Sequence, residues 1–302
     1  MSALVILNPH AGGGRAGRLW HRIEPLLWEV LGDPVIAITQ RPAEVAAHLD
    51  DAMRLGFDRV ITIGGDGTNH VIINALAALA EQGTAMPLPV LGILPIGTGR
   101  DWARALGIPL KPEQAVQWLA EAQPQPVDVG RLACEGSTTH FLNIASSGIS
   151  GEIAANVNAI QHRRPWTFFS QTVQALLHYQ PRPMRVLLDG ELWYEGRSFV
   201  VVVANGRYFG HGMLVAPEAS IDDGLFDVVL VEGMHRLAAL QALPTIYNGT
   251  HLLRDDVHHA RAADVRIESA TGPLDLELDG EYDRCNTLRF SVVSGLVQML
   301  RR

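Results

Sequence analysis

Val60-Ile61-Thr62-Ile63-Gly64-Gly65-Asp66-Gly67-Thr68 reads as a buried strand running into a glycine turn, and Ile72, Leu76 and Leu79 follow at helical spacing. Strand, side-chain-free turn and helix in that order are the repeating unit of a parallel sheet. Glycines at such a turn let main-chain N–H groups approach a phosphate, and the helix that starts there adds a favourable dipole. An aspartate in the turn would repel phosphate unless a divalent cation stood between them. Asp66 is therefore a candidate for the cation side of a nucleotide site. On the plainer reading the stretch is a tight turn with Asp66 capping the helix.

The same grammar extends in both directions. Residues 3–7 form an apolar strand that ends in Asn8-Pro9 and the run Gly12-Gly13-Gly14, before a helical pattern at Leu19, Ile23, Leu26, Leu27 and Val30. Residues 35–39 form a second strand, and Pro42 suits the first turn of a helix carrying Val45, Leu49 and Met53 on one face. Residues 90–94 are a further strand, followed by Pro95-Ile96-Gly97-Thr98-Gly99-Arg100-Asp101 and a helix over 102–106. One glycine turn is weak evidence of a ligand site. Three on the carboxyl edge of one parallel sheet, where ligands of such sheets bind, are strong.

The chain has 302 residues, 47% of them hydrophobic and 19% charged, with 29 Gly and 17 Pro. That composition excludes a disordered protein, and the length suggests two domains. A formal charge of −8 argues against a nucleic-acid partner. Lys111 is the only lysine, so a Walker-type phosphate loop has no lysine to draw on. No apolar run is long enough for a membrane span, and the N-terminus lacks the pattern of a signal peptide. Two cysteines, Cys134 and Cys285, are too few for a disulfide framework, so a reducing, cytoplasmic compartment is expected, with any membrane contact peripheral.

Residues 122–126, Ala-Gln-Pro-Gln-Pro, read as a boundary. Beyond it short strands are expected at 127–134, 140–145, 184–188, 199–204, 226–231, 265–268, 274–278 and 288–293, the texture of antiparallel sheets. Asp189-Gly190 is a hairpin signal, and helical stretches fall around 168–179 and 235–247. The expectation is an α/β nucleotide-binding domain over 1–126 and a β-sandwich over 127–294, with residues 295–302 packing back on the first domain.

Asn8-Pro9 with its glycines, Gly64-Gly65-Asp66-Gly67-Thr68, the Pro95 to Asp101 turn, Val127-Asp128-Val129-Gly130, Ala216-Pro217 through Asp222-Asp223-Gly224-Leu225, and Leu278-Asp279-Gly280-Glu281 follow one another along the chain. In that order they resemble the diacylglycerol kinase catalytic-domain proteins, in the bacterial lipid-kinase branch related to sphingosine kinases. The resemblance covers nearly the whole chain. It implies an N-terminal domain with a parallel sheet like that of NAD kinase and phosphofructokinase, a C-terminal antiparallel β-sandwich, and ATP and Mg²⁺ as cofactors between them.

Position by position, the resemblance assigns nucleotide contacts to Asn8, Thr39, Gly64, Gly65, Asp66, Gly67, Thr68 and Thr98. It places Asp66, Asp101, Asp128 and Glu281 around the catalytic Mg²⁺, and the general base on Asp279 or Glu281. A second, structural metal is implied at Asp223 with the carbonyls of Ser220 and Leu225, though alone this turn reads as solvated. The family's usual residues after Gly64-Gly65-Asp66-Gly67-Thr68 are replaced by Asn69, His70 and Val71, its Asn before Asp101 is Arg100, and Arg15 stands at a common lysine position.

The implied reaction is transfer of the γ-phosphate of ATP to a hydroxyl of diacylglycerol or a related lipid, which needs positioning and charge neutralisation more than covalent help. The lipid would be met at a membrane surface, and the family is often dimeric. The stretch His162-Arg163-Arg164-Pro165-Trp166-Thr167-Phe168-Phe169 has the composition of a membrane contact. Val173, Leu176, Leu177 and Tyr179 suit either a lipid-tail pocket or the second domain's core. His258-His259 would point to opposite faces of a strand, with a solvated role rather than a metal. Ser146-Ser147-Gly148 lacks the strand-to-elbow context of a nucleophile. The rival readings are a kinase of a soluble acceptor, as in NAD kinase, and a nucleotide-binding regulator without catalysis.

Overall fold

The computed structural model describes residues 3–83, 87–160 and 167–302. The chain divides into two compact units, one ending at Asp128 and completed by Ser294–Arg302, the other Val129–Val293.

In the first unit β1 (Ala3–Leu7), α1 (Ala11–Leu31), β2 (Val35–Ile38), α2 (Ala43–Arg54), β3 (Arg59–Gly64), α3 (Asp66–Glu81) and β4 (Val90–Pro95) alternate, followed by α4 (Asp101–Ala105) and α5 (Pro112–Glu121). The strands lie in the order β4-β3-β1-β2, all parallel. Every residue of β1 is buried and β3 is nearly so, which explains why both read as unbroken apolar runs. Val5, Ile6, Val60, Ile61, Ile63, Ile72, Ile73 and Leu76 make the core, each fully buried. Burying one such side chain contributes roughly 1.5–3 kcal/mol. β5 (Gln123–Cys134) begins in this unit, so the proline-rich stretch read as a boundary is extended strand with Pro124 and Pro126 exposed.

The second unit holds β6 (Ser137–Phe141), β7 (Ile144–Gly148), α6 (Ile149–Asn158), α7 (Thr167–His178), β8 (Arg182–Leu188), β9 (Glu191–Ala204), the short β10 (Tyr208–Phe209) and β11 (Met213–Leu214), and β12 (Phe226–Glu232). There follow α8 (Arg236–Ile246), a 3₁₀ turn at Thr250–Leu253, β13 (Val257–Ala262), β14 (Asp264–Glu268), β15 (Leu274–Leu278), β16 (Glu281–Cys285) and β17 (Thr287–Arg301). Its strands pair antiparallel in the order β16-β15-β7-β9-β8-β14-β17, with β12 and β13 added along β9 and β6 along β5. β17 then continues into the first unit, where Met299 pairs parallel with Leu91 of β4. Asp189 (φ 49°) and Gly190 (φ 90°) make the expected hairpin turn between β8 and β9.

Aromatic packing centres this unit: Phe141 lies 5.7 Å from Phe226 and edge-on to Phe290 at 6.0 Å. Gly130 is required there, because an added Cβ would lie 2.1 Å from the Phe141 ring. The cysteine expectation is overturned: Cys134 and Cys285, both buried, are joined in a disulfide with Cα atoms 6.0 Å apart. Their count therefore carries no argument for a reducing compartment. Among the described residues, no helix is long and apolar enough to cross a membrane.

Candidate functional site

The three glycine turns of the first unit touch one another. Asn8, just past β1, donates its side-chain amide to the Thr68 hydroxyl on α3 at 3.0 Å. Gly12, in the left-handed region at φ 62°, packs so closely that a Cβ would sit 2.4 Å from the Ile96 carbonyl oxygen. Gly65 and Gly97 meet backbone to backbone: a Cβ on Gly97 would lie 2.4 Å from the Gly65 Cα. Only glycine permits that approach. Thr39, at the end of β2, donates its hydroxyl to the Leu7 carbonyl at 3.2 Å and is buried. Thr98 is exposed at the same edge.

Asp66 opens α3, and its Oδ2 accepts the Arg100 N–H at 2.7 Å. That bond ties the second glycine turn to the third and holds Arg100 in a left-handed conformation (φ 59°), a region asparagine tolerates better than arginine. Asp101 opens α4, is buried, and accepts from Arg104 at 2.9 Å. The position a Gly99 side chain would take is 2.6 Å from Asp66 Oδ2 and 3.6 Å from Asp101 Oδ2, so the two carboxylates converge across one glycine. Arg100 lies among like charges: burial first, then Arg104 and Arg15, lower its pKa, while Asp66 and Asp101 oppose them. Cations and amides gathered at one sheet edge can take an anion, and the two carboxylates beside them can take a metal. Hard oxygen donors of this kind suit Mg²⁺, which takes one or two carboxylates and completes its shell with water and phosphate oxygens. Among the described residues, no group of three or more His, Cys, Asp or Glu forms a preformed cage. Asp128 is also buried in this unit, its Oδ1 accepting the Gly295 N–H at 2.9 Å. Of the substituted positions, Asn69 is buried and accepts from the Thr62 hydroxyl at 2.9 Å.

In the second unit Asp279 and Gly280 form the two-residue turn between β15 and β16, with φ 51° and 95°. The Asp279 carboxylate accepts three main-chain N–H bonds, from Leu142 (2.7 Å), Asn143 (2.9 Å) and Ile144 (3.1 Å). Those bonds split the single strand expected at 140–145 into β6 and β7 by turning the chain at 142–143. Glu281, two residues on, is exposed. One carboxylate of the pair is thus fixed and the other is exposed.

The implied structural metal at Ser220, Asp223 and Leu225 does not fit the turn as folded. Asp223 accepts the Leu225 N–H at 3.1 Å and its other oxygen is paired with the Arg261 guanidinium, which also faces the buried Asp227 at 3.7 Å. The Ser220 hydroxyl bonds Asp222 at 2.7 Å. A guanidinium already neutralises the carboxylate that the metal would need.

Residues 161–166 lie outside the described residues, and with them most of the expected membrane contact. Phe169 on α7 is 56% exposed and Leu177 40%, whereas Leu176 and Tyr179 are buried with Ile149, Ile153 and Phe199 as core. His258 and His259 each meet a carboxylate, Glu232 at 2.6 Å and Asp227 at 2.7 Å, so neither is merely solvated. Ser146 and Ser147 do sit on a strand that runs directly into a helix, against expectation, but both are fully buried and spend their hydroxyls on Glu277 and the Asp275 carbonyl.

Sequence reasoning passes over Arg104, which braces Asp101, and Glu277, which is buried behind the Asp279 turn. Strand alternation places Glu277 on the same face as Asp275, away from the leucines, and nothing in the sequence marks that face as covered.

A parallel sheet with glycine turns at its edge, continued by an antiparallel sheet, is an architecture of kinase-type phosphotransferases. The chain belongs to the diacylglycerol kinase family: residues 2–132 match the "Diacylglycerol kinase catalytic domain" and residues 143–301 the "YegS C-terminal NAD kinase beta sandwich-like domain". It is 31% identical to a diacylglycerol kinase of Mycobacterium tuberculosis (strain ATCC 25618 / H37Rv), covering 98% of this chain and 94% of that one. It is 30% identical to a protein of Pseudomonas aeruginosa (strain UCBPP-PA14) named "Probable lipid kinase YegS-like", over 87% and 83% of the two chains. A solved diacylglycerol kinase of Bacillus anthracis str. Sterne shares the fold, with TM-score 0.73 over 100% and 97% of the chains at 24% identity. An Archaeoglobus fulgidus NAD kinase solved with ATP shares the fold more distantly, with TM-score 0.52 over 100% and 94% of the chains at 13% identity. The resemblance and the fold class read from the ordered motifs are both borne out.

Proposed function

We propose that the protein is an ATP-dependent lipid kinase that transfers the γ-phosphate to a hydroxyl of diacylglycerol or a related lipid. The observation that carries this is the mutual contact of three glycine turns, with Asp66 and Asp101 converging beside them. ATP is assigned to that edge, its phosphates meeting the turns at Gly64, Gly65, Gly67, Thr68 and Thr98, with Asn8 and Thr39 alongside. Asp66 and Asp101 would hold Mg²⁺, with Asp128 contributing, and the ion would supply neutralisation of charge on the transferring phosphate.

The acceptor side falls to the Asp279–Glu281 turn. Asp279 is oriented by three main-chain donors, and preorganisation of this kind lowers barriers. The hydroxyl oxygen bonds to the γ-phosphorus as the bond from that phosphorus to the β-bridging oxygen breaks. ADP leaves, and the hydroxyl proton passes to a carboxylate of the pair. General-base help contributes ~10²–10⁴-fold. Contact with the lipid is proposed to be peripheral, and the exposed Phe169 and Leu177 of α7 support an apolar surface there.

The test is label transfer from γ-labelled ATP to a lipid extract with Mg²⁺, comparing wild type with Asp66→Asn. Labelled lipid from the wild type alone supports the reading. Label in a soluble acceptor, or tight ATP binding with no transfer to any acceptor, replaces it with one of the two rivals.

A further inference from the structure

Behind the proposed acceptor turn lies a carboxylate that the reaction as described does not use. Glu277 of β15 is 8% exposed, and it faces Ser146 of β7 directly across the ladder. Its Oε2 accepts the Ser146 hydroxyl at 2.8 Å, and its Oε1 accepts the Gly280 N–H at 2.5 Å. A buried carboxylate is costly unless it is hydrogen-bonded, so these two bonds fix its place. Gly280 is the second turn residue, between Asp279 and Glu281. The turn is therefore held from two sides: Asp279 reaches out to the amides of 142–144, while Glu277 reaches in to Gly280. Asn158 of α6 adds a third hold, donating to the Gly280 carbonyl at 3.3 Å.

We propose that Glu277, oriented by Ser146, is a positioning residue that sets the geometry of the Asp279–Gly280–Glu281 turn through the Gly280 amide. This rests on the reading that the turn receives the acceptor hydroxyl. Gly280 lies between the two carboxylate-bearing residues in sequence, and its main-chain N–H is the group that Glu277 holds. Glu277 touches no reacting atom; it acts only through the turn.

The chemistry of substitution separates this role from a proton-transfer role. In Glu277→Gln the amide oxygen still accepts from Gly280, and the amide nitrogen can donate to the Ser146 oxygen, so the hold survives without the charge. In Glu277→Ala both bonds go. The experiment measures kcat and KM for ATP in wild type, Glu277→Ala and Glu277→Gln, and amide hydrogen exchange at Gly280 in each. Expected are a fall in kcat of ~10–10²-fold in Glu277→Ala with KM for ATP unchanged, fast exchange at Gly280, and substantial recovery of both in Glu277→Gln. Wild-type kcat in a folded Glu277→Ala, or Glu277→Gln as inactive as Glu277→Ala, overturns the proposal. The exchange readout stands apart from the reaction: if the wild type phosphorylates no lipid, the functional reading fails, while Gly280 protection lost in Ala and kept in Gln still supports the hold. Equal protection in all three proteins removes it.

Discussion

At Gly97 a single methyl group has nowhere to go. An added Cβ would come within 2.4 Å of the Gly65 backbone, so Gly97→Ala must push apart the second and third glycine turns. ATP phosphates assigned to both turns would then be held out of register. A loss of about 10²-fold in kcat/KM is expected, with the far-UV spectrum unchanged. Full activity in Gly97→Ala would mean that the contact between turns is incidental. A second prediction at this scale concerns His259. Its hydrogen bond to Asp227 raises the imidazole pKa above the usual 6.5, outweighing burial, with the Asp227 and Glu218 charges in the same direction. A raised folded-state pKa means the stabilisation is complete below 6.5 and lost as pH rises through the folded value. His259→Gln should therefore remove some of the wild type's decline in stability through the neutral range, measured by urea unfolding against pH. It should also cost about 1–3 kcal/mol at the acid end, where Asp227 loses a charged donor. Parallel stability curves for the two proteins would rule this out.

At the scale of elements, α6 lies on β15 because Gly151 has no side chain: a Cβ would sit 2.4 Å from the Asp275 backbone. Gly151→Ala pushes the helix off the strand that carries the acceptor turn. The expected cost is about 1–3 kcal/mol of stability and a lower kcat, with ATP affinity retained because the nucleotide is assigned to the first unit. Loss of ATP binding instead would contradict that division of labour. α6 also shows where sequence reading ends. Ile149-Ser150-Gly151 has poor helix propensity, and the helix exists because Gly148 (φ 112°) and Gly151 let it pack. β1, β3 and β4 are legible because a parallel strand buried on both faces is a continuous apolar run. β16 is not, since Glu281, Tyr282, Asp283 and Arg284 are all exposed and β15 alone gives it a partner. In the site, Asp66 and Asp101 are legible from the glycines around them and Asp279 from the resemblance carried by the ordered motifs, whereas Arg104 and Glu277 act through tertiary contacts that leave no local pattern.

Across the whole molecule, two cysteines 151 residues apart in sequence are joined by a bond that composition argues against. It ties the end of β5 to the end of β16, next to the aromatic core of the second unit. Disulfides typically stabilise by ~2–4 kcal/mol. Reduction, or Cys134→Ala with Cys285→Ala, should lower the denaturant midpoint accordingly, and an unchanged midpoint would show that the bond contributes nothing. The same scale decides function. Catalysis as proposed needs the carboxylates of both units to serve one reaction, Asp66 and Asp101 in the first and the Asp279 turn in the second. The decisive measurement is transfer of label from γ-labelled ATP to lipid with Mg²⁺, run on wild type, Asp66→Asn and Asp279→Asn. A labelled lipid is expected with wild type, reduced by about 10²–10³-fold or more in either variant while both remain folded. Wild-type transfer in Asp66→Asn or in Asp279→Asn would contradict the shared reaction, as would a wild type that binds ATP and labels no lipid.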